Sequence, residues 1–255
     1  MPSTPTLPSS PRAPSLALLA AEPFRAMFDA LASHVTARPT SIGDGHPVIV
    51  YPGLGAGSTN TSQLRTFLRH SGFDTNDWGG GVNTGHEGDF DVWLDALAVK
   101  VRQLQARHSG RKVSLVGWSL GGIFAREIAR RAPQAVRSVV TLATPFASLG
   151  DGNHAGTIYK LLNANAARFA PELEARLRAT PPVPTTSIYS KSDGIVSWLG
   201  CIEKRSRTAE SVEVDASHLG MVNHPDVLRI VADRLAQPEG RWKPLRRGEQ
   251  TGCGR

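Results

Sequence analysis

One stretch of the chain has the G-x-S-x-G pattern that surrounds a nucleophilic serine: Gly117-Trp118-Ser119-Leu120-Gly121. The mostly apolar run 112–116 precedes it and a helical pattern follows it, so Ser119 falls in a turn between a buried strand and a helix. A serine hydroxyl is an effective nucleophile only where it is exposed and within reach of a base. The two glycines fit a crowded turn, in which a β-carbon would collide with the backbone. The alternative is a tight strand-to-helix turn that contains a serine by chance.

An acid and a base follow the serine, each placed just after a strand pattern. Asp193 comes after the pattern at 185–190, and His218 comes after the pattern at 211–214. In a Ser-His-Asp set the histidine takes the serine proton and the carboxylate orients the histidine. The sequence therefore predicts a catalytic triad of Ser119, Asp193 and His218.

Other residues compete for two of these roles. Asp193 precedes a glycine, so it also fits a plain turn. His224 is the rival base, although its position at the start of a helical pattern favours helix capping. Asp215 is the rival acid, but it is too close in sequence to His218 to approach it easily from a separate strand end.

A second glycine-rich loop, residues 52–57, follows the buried-strand pattern at 47–51. It lacks the Lys-Ser/Thr ending of a phosphate-binding P-loop and the glycine spacing of a dinucleotide site. In acyl-transfer enzymes, a loop at this position supplies one backbone N–H to the oxyanion, and the residue after the nucleophile supplies the other. We assign these two donors to Leu54 and Leu120.

Strand and helix patterns alternate through most of the chain, which predicts an α/β protein with a mostly parallel central sheet and helices on both faces. Sheets of this type carry their sites at the carboxyl ends of the strands. Residues 147–183 interrupt the alternation with two short helical patterns, at 158–162 and 171–178. We interpret this insertion as a helical cap or lid, and the alternative is an ordinary helical pair without a gating role.

We expect one domain over residues 16–240, between a disordered Pro/Ser-rich segment, 1–15, and a basic flexible tail, 241–255. An amphipathic helix near the N-terminus should pack on the body of the domain; its apolar positions are Phe24, Met27, Phe28, Leu31 and Val35. The alternative is a helix on a membrane surface, which is less favoured because its polar face is not strongly basic.

The net charge of +7 is scattered apart from the tail, and the sequence contains no nucleic-acid-binding motif. No apolar run reaches the length of a membrane span. The apolar residues 16–21 follow Arg12, as in a signal peptide. The apolar run is short, however, and the segment before it is proline-rich, so we expect a cytoplasmic protein, with secretion as the alternative. Cys201 and Cys253 have neither a metal-binding spacing nor a disulfide framework, and the sequence does not indicate whether they pair. We expect no metal and no organic cofactor.

Taken together, these segments resemble the α/β-hydrolase superfamily and, within it, bacterial lipase-like serine esterases. The order of nucleophile, acid and histidine is the one associated with that scaffold. Two positions depart from the pattern of many lipases: Pro52 replaces the histidine of a His-Gly pair, and Phe146 follows Thr-Pro where a histidine is common. The matching segments, spread over about residues 46–236, are 52–55, 117–122, 143–146, 192–196 and 217–221.

The resemblance implies hydrolysis of a small-molecule ester or lipid through an acyl-enzyme on Ser119. It also implies an acyl pocket lined by Trp118, Phe146 and residues of the insertion. An acyltransferase with the same triad and a non-catalytic, ligand-binding member of the fold are the alternatives. The acyl chain, the alcohol portion and the oligomeric state are not predicted.

Overall fold

The computed structural model of the chain describes residues 13–36, 42–86, 88–147 and 171–245. These residues contain six strands: β1 Pro47–Tyr51, β2 Asp74–Asp77, β3 Val113–Trp118, β4 Val136–Leu142, β5 Thr185–Ser190 and β6 Ala209–Val214. The strands form one sheet in the order β2-β1-β3-β4-β5-β6, and every neighbouring pair is parallel. The predicted parallel α/β architecture is therefore confirmed.

Helices connect and cover these strands: α1 Leu16–Thr36, α2 Ser62–His70, α3 Phe90–Arg107, α4 Leu120–Arg131, α5 Pro171–Arg178 and α6 Pro225–Ala236. The crossover through α2 runs from β1 to one side of the sheet, and the crossover through α3 returns past β1 to the other side. Right-handed crossovers place two such helices on opposite faces. In agreement, α3 packs on α4, whereas α1 and α2 pack on α6. The connections reverse direction between β1 and β3, which is where parallel sheets bind ligands.

Burial on both faces of the sheet explains why the sequences of the central strands are almost continuously apolar. All five residues of β1 and all six of β3 are buried, because helices cover both faces of the sheet. Val50, Val116 and Leu142 are inaccessible to solvent, and each such side chain stabilises the fold by about 1.5–3 kcal/mol relative to exposure. This packing holds the carboxyl ends of the strands as a fixed frame for the loops that follow them.

The insertion is described only at its two ends. Its second predicted helix is confirmed as α5, whereas the predicted helix at 158–162 lies outside the described residues. The covering role of the insertion stays a prediction. Of the two terminal segments, 13–15 and 241–245 are described and contain neither helix nor strand, and the rest lies outside the described residues.

The predicted packing of the N-terminal helix is wrong in its orientation. Helix α1 forms, but Phe24 is 68% exposed, Phe28 64% and Leu31 57%. Its opposite face packs on the body, with Glu22 only 1% exposed. This polar face hydrogen-bonds to the loops that follow β5 and β6. Among the described helices, α1 included, none has the length and apolar character needed to cross a membrane.

Candidate active site

Ser119 occupies a strained turn between β3 and α4. Its backbone has φ 52° and ψ −119°, a left-handed conformation that costs an L-residue about 1–3 kcal/mol and persists only when neighbours enforce it. The Ser119 N–H donates to the Leu142 carbonyl at 2.8 Å, and the Thr144 hydroxyl donates to the Ser119 carbonyl at 3.0 Å. Strand β4 and its following loop therefore hold the serine turn from one side.

Glycines make this turn possible because other backbone atoms fill the space of a β-carbon. A Cβ on Gly117 would lie 2.4 Å from the Gly121 carbonyl oxygen, and one on Gly121 would lie 2.3 Å from the Tyr51 oxygen. A Cβ on Gly122 would lie 2.0 Å from the Thr144 hydroxyl. The steric reason expected from the pattern is thus present at Gly117 and Gly121, and Gly122 shows the same crowding.

Asp193 and His218 meet at the carboxyl ends of neighbouring strands. Their closest atoms, Asp193 Oδ2 and His218 Nδ1, are 2.7 Å apart, and both residues are 3% exposed. Asp193 Oδ1 accepts two further hydrogen bonds, from the N–H groups of Ile195 and Val196 at 2.8 Å each. Because a carboxylate only accepts, the Nδ1 atom carries the proton and the Nε2 lone pair is left for a base role.

The electrostatic surroundings of His218 favour its charged form. Burial acts to lower its pKa, but the charge and hydrogen bond of Asp193 and the charge of Glu22 outweigh burial. The net result is a pKa raised above the ordinary value of 6.5. An imidazole that charges readily, next to a fixed carboxylate, is suited to accept a proton from a hydroxyl.

Trp118 brings the histidine loop next to the serine turn. Its indole N–H donates to the His218 carbonyl at 3.1 Å, and the two rings are 6.0 Å apart between centroids. Within the described residues, no hydrogen bond joins the Ser119 hydroxyl to the imidazole. Hydrogen bonds of this kind often tighten only when substrate binds.

The loop after β1 lies against the serine turn. A Cβ on Gly53 would be 3.3 Å from the Ser119 Cβ, which places the neighbouring Leu54 close to the nucleophile. Leu120 is the first residue of α4, whose N-terminus carries partial positive charge. Both assigned donors therefore border the serine, and their binding of an oxyanion stays a prediction.

Asn83 supports this loop, and no feature of the glycine-rich segment around it singles it out from the sequence alone. It is fully buried, and its side-chain amide donates to the Pro52 carbonyl at 2.7 Å. Its backbone carbonyl accepts from the Gly55 N–H at 2.7 Å, and its own N–H donates to the Ala56 carbonyl at 2.8 Å. The residue thus fixes the loop at three points.

The two predicted pocket residues are largely enclosed. Trp118 is 6% exposed and Phe146 is 2% exposed. The Phe146 ring lies beneath the buried guanidinium of Arg126, 3.6 Å from the ring centroid, and Arg126 pairs with the buried carboxylate of Glu203. Their contact with a substrate stays a prediction.

The rival acid and base lie apart from the Asp193–His218 pair. The Asp215 side chain is 89% exposed and pairs with Arg25 at 3.1 Å. His224 is the N-cap of α6, where its Nδ1 accepts from the Asp226 N–H at 3.2 Å, as the sequence indicated. The geometry thus favours Asp193 and His218 over both rivals.

A second Ser-His-Asp chain lies at the opposite, amino end of the sheet. His46 Nδ1 is 2.5 Å from Asp44, and its Nε2 is 2.9 Å from the Ser114 hydroxyl. His46 and Ser114 are inaccessible to solvent, and burial lowers the pKa of His46. A site without access cannot receive substrate, so this chain serves to join β1 to β3.

The described residues contain no group of three or more His, Cys, Asp or Glu side chains arranged for a metal ion. Cys201 carries a buried free thiol, and burial raises its pKa well above the ordinary value. Cys253 lies outside the described residues.

A parallel sheet that presents a strained serine turn at its reversal point defines an α/β hydrolase. The family model described as serine aminopeptidase, S33, matches residues 46–200. This is more than half of the chain, so the chain belongs to the S33 family of hydrolases.

A pimeloyl-(acyl-carrier protein) methyl ester esterase from Shewanella woodyi is 33% identical over 105 residues. That match covers 41% of this chain and only 38% of the relative. Two solved structures share the fold. Lipase B of Aspergillus fumigatus superposes with a TM-score of 0.59 at 17% identity, over 83% of this chain and 58% of the lipase. An α/β serine hydrolase without a lid from Xanthomonas campestris superposes with a TM-score of 0.54 at 16% identity, over 83% of this chain and 88% of the hydrolase.

Proposed function

We propose that this protein is a serine hydrolase that cleaves carboxylic esters through an acyl-enzyme on Ser119. The observation that carries the proposal is the strained Ser119 turn beside a buried Asp193–His218 pair. Ser119 is 3% exposed, and no other serine in the described residues combines a positive φ with a neighbouring, buried His–Asp pair.

In the proposed reaction, Ser119 Oγ attacks the ester carbonyl while His218 Nε2 takes its proton. Asp193 stabilises the imidazolium through Nδ1, and the N–H groups of Leu54 and Leu120 bind the oxyanion. One such donor is worth roughly a hundredfold or more in kcat. His218 then protonates the departing alcohol, and the same base activates water to release the acid and restore the serine.

The relatives support an ester as the substrate. The Shewanella relative is named as a methyl ester esterase, and the fold neighbours include a lipase. The family name refers to aminopeptidases, in which the same chemistry would cleave an amide. An ester has the better leaving group, so a triad of this kind cleaves it more easily, and ester hydrolysis is the activity to measure first.

A substrate panel tests the proposal. It contains p-nitrophenyl esters with acyl chains of two to sixteen carbons, a triglyceride emulsion and an aminoacyl p-nitroanilide. We expect the highest kcat/KM on an ester and release of the free acid. A preference for the anilide would contradict ester specificity, and transfer of the acyl group to an added alcohol in place of water would favour the acyltransferase alternative.

The pH dependence of the reaction should follow His218. Because the neutral imidazole is the base and its pKa is raised, kcat/KM should fall as the pH falls through a midpoint above 6.5. The measurement is kcat/KM on a soluble ester from about pH 5 to about pH 9. A flat profile, or a midpoint well below that of free histidine, would reject His218 as the base.

A further inference from the structure

A buried glutamate of α1 contacts both loops that carry the predicted acid and base. We refer to residues 191–197 as the acid loop and to residues 215–224 as the histidine loop. Glu22 Oε1 accepts from the Gly194 N–H at 2.6 Å and from the His218 N–H at 2.9 Å. Its Oε2 accepts from the Leu219 N–H at 2.9 Å. One carboxylate thus receives three main-chain N–H groups from two separate loops.

Two glycines let α1 approach these loops closely. A Cβ on Gly194 would lie 2.5 Å from the carbonyl oxygen of Leu18 in α1. A Cβ on Gly220 would lie 2.0 Å from Asp29 Oδ2, which is about two turns beyond Glu22 on the same face of α1. Asp29 itself accepts from the Ser217 hydroxyl at 2.9 Å. The helix is therefore fitted to both loops along its length, beyond the single contact at Glu22.

We propose that Glu22 is a positioning residue of the reaction, which makes α1 part of the active-site structure. The inference rests on the function proposed above. Glu22 touches no reacting atom; it acts by holding the backbone at Gly194 and His218 so that the Asp193 carboxylate and the imidazole stay in line.

The three hydrogen bonds to Glu22 are stronger than those to a neutral, exposed capping side chain, because the Glu22 carboxylate is both buried and charged. Hydrogen bonds to an ionised acceptor are roughly twice as strong as neutral ones, and Glu22 is 1% exposed, so water does not compete for them. Within the described chain its partners are amides, so the negative charge is not cancelled by a lysine or an arginine. It therefore also acts on the neighbouring imidazole, together with Asp193.

The charged groups around His218 are few. Asp193 faces its ring from the acid loop and Glu22 faces its backbone from α1. The other charged or titratable side chains described on these elements pair with partners other than His218: Arg25 with Asp215, Asp29 with His224 at 3.9 Å, and Lys191 with Glu213 at 2.8 Å. Removal of the Glu22 charge should therefore move the titration of His218 without a compensating partner.

The test compares Glu22→Gln and Glu22→Asp with the parent chain. All rates are expressed per active site, titrated with a fluorophosphonate. In Glu22→Gln the negative charge is lost. The side-chain NH₂ group, which cannot accept a hydrogen bond, then faces at least one of the main-chain N–H groups. We expect kcat to fall roughly tenfold to a hundredfold with little change in KM. The acid limb, which is the fall of kcat/KM at low pH, should move to lower pH.

In Glu22→Asp the carboxylate is withdrawn by about 1.5 Å but keeps its charge, so kcat should fall while the acid limb stays in place.

Glu239→Gln is the matched control. It removes the same charge from an exposed carboxylate that pairs with Lys112, which precedes β3 at the opposite end of the sheet. This variant should behave as the parent chain in both readouts.

Three outcomes overturn the inference. The first is parental kcat per titrated site in Glu22→Gln. The second is a lower yield of folded protein in both Glu22 variants with kcat and acid limb unchanged, which indicates a structural role alone. The third is a fall in kcat with the acid limb unmoved in Glu22→Gln. If Glu22→Gln does not fold, the kcat of Glu22→Asp per titrated site decides: a lower value supports the inference, and the parental value overturns it.

The fluorophosphonate reaction separates this inference from the proposed function. Its rate reports on activation of Ser119 whether or not an ester is the substrate. Slow labelling in the Glu22 variants of a chain that cleaves no ester supports positioning and rejects the esterase proposal. Parental labelling in a chain that does cleave esters rejects positioning alone.

Discussion

Replacement of Ser119 by alanine should reduce kcat on p-nitrophenyl esters by roughly a millionfold, the size of effect seen when one member of a cooperating triad is lost. The residual rate would come from the oxyanion donors and from binding, which the change leaves in place. Ser119 Oγ makes no hydrogen bond within the described residues, and alanine tolerates the turn as poorly as serine does. The free energy of unfolding should therefore change by no more than about 0.5 kcal/mol. The measurements are steady-state hydrolysis, fluorophosphonate labelling and thermal unfolding.

Ser114→Ala supplies a sharp control, because Ser114 belongs to the enclosed Ser-His-Asp chain at the other end of the sheet. It should lower stability by about 1–3 kcal/mol, since His46 loses a buried partner. Its kcat per titrated site should equal that of the parent chain. Retention of ester hydrolysis or of labelling in Ser119→Ala would show that another nucleophile performs the reaction.

Asp193→Asn should lower kcat by about ten-thousandfold. The N–H groups of Ile195 and Val196 hold one side-chain oxygen of Asp193. An asparagine must keep its carbonyl oxygen there and so present its amide N–H group to His218 Nδ1. That nitrogen then becomes an acceptor, its proton moves to Nε2, and the imidazole can no longer receive the proton of Ser119.

Asp215→Asn is the matched control for this change. Asp215 is exposed and contacts Arg25 and Ser192, so its loss should alter kcat little. The reverse pattern, with Asp215→Asn the damaging variant, would transfer the acid role to Asp215. Full activity in both variants would leave no aspartate in the proposed triad.

Much of this site could be anticipated because its parts are encoded locally. The strand-to-helix turn at Ser119 needs its glycines within a few residues, and the buried strands read as apolar runs because both faces of the sheet are covered. A parallel sheet aligns the carboxyl ends of its strands, so the sequence alone predicts that Asp193 and His218 lie near each other.

Other features arise only from contacts between distant parts of the chain. Glu22 and His218 are 196 residues apart, and nothing beside Glu22 in the sequence indicates that the polar face of α1 is the buried one. Helical periodicity shows that a helix has two faces, but which face is buried depends on what the rest of the fold presents to it.

The sequence by itself thus determined the class of fold and predicted a nucleophile and the order of its partners, because those follow from short patterns and from the geometry of a parallel sheet. Tertiary structure decided how the partners are held. It separated Asp193 from Asp215, assigned His224 to a helix cap, placed Asn83 under the loop after β1 and turned the polar face of α1 towards the loops that follow β5 and β6. The physical reason is that hydrogen bonds from buried polar groups are satisfied wherever the completed fold offers a partner, at any distance along the chain.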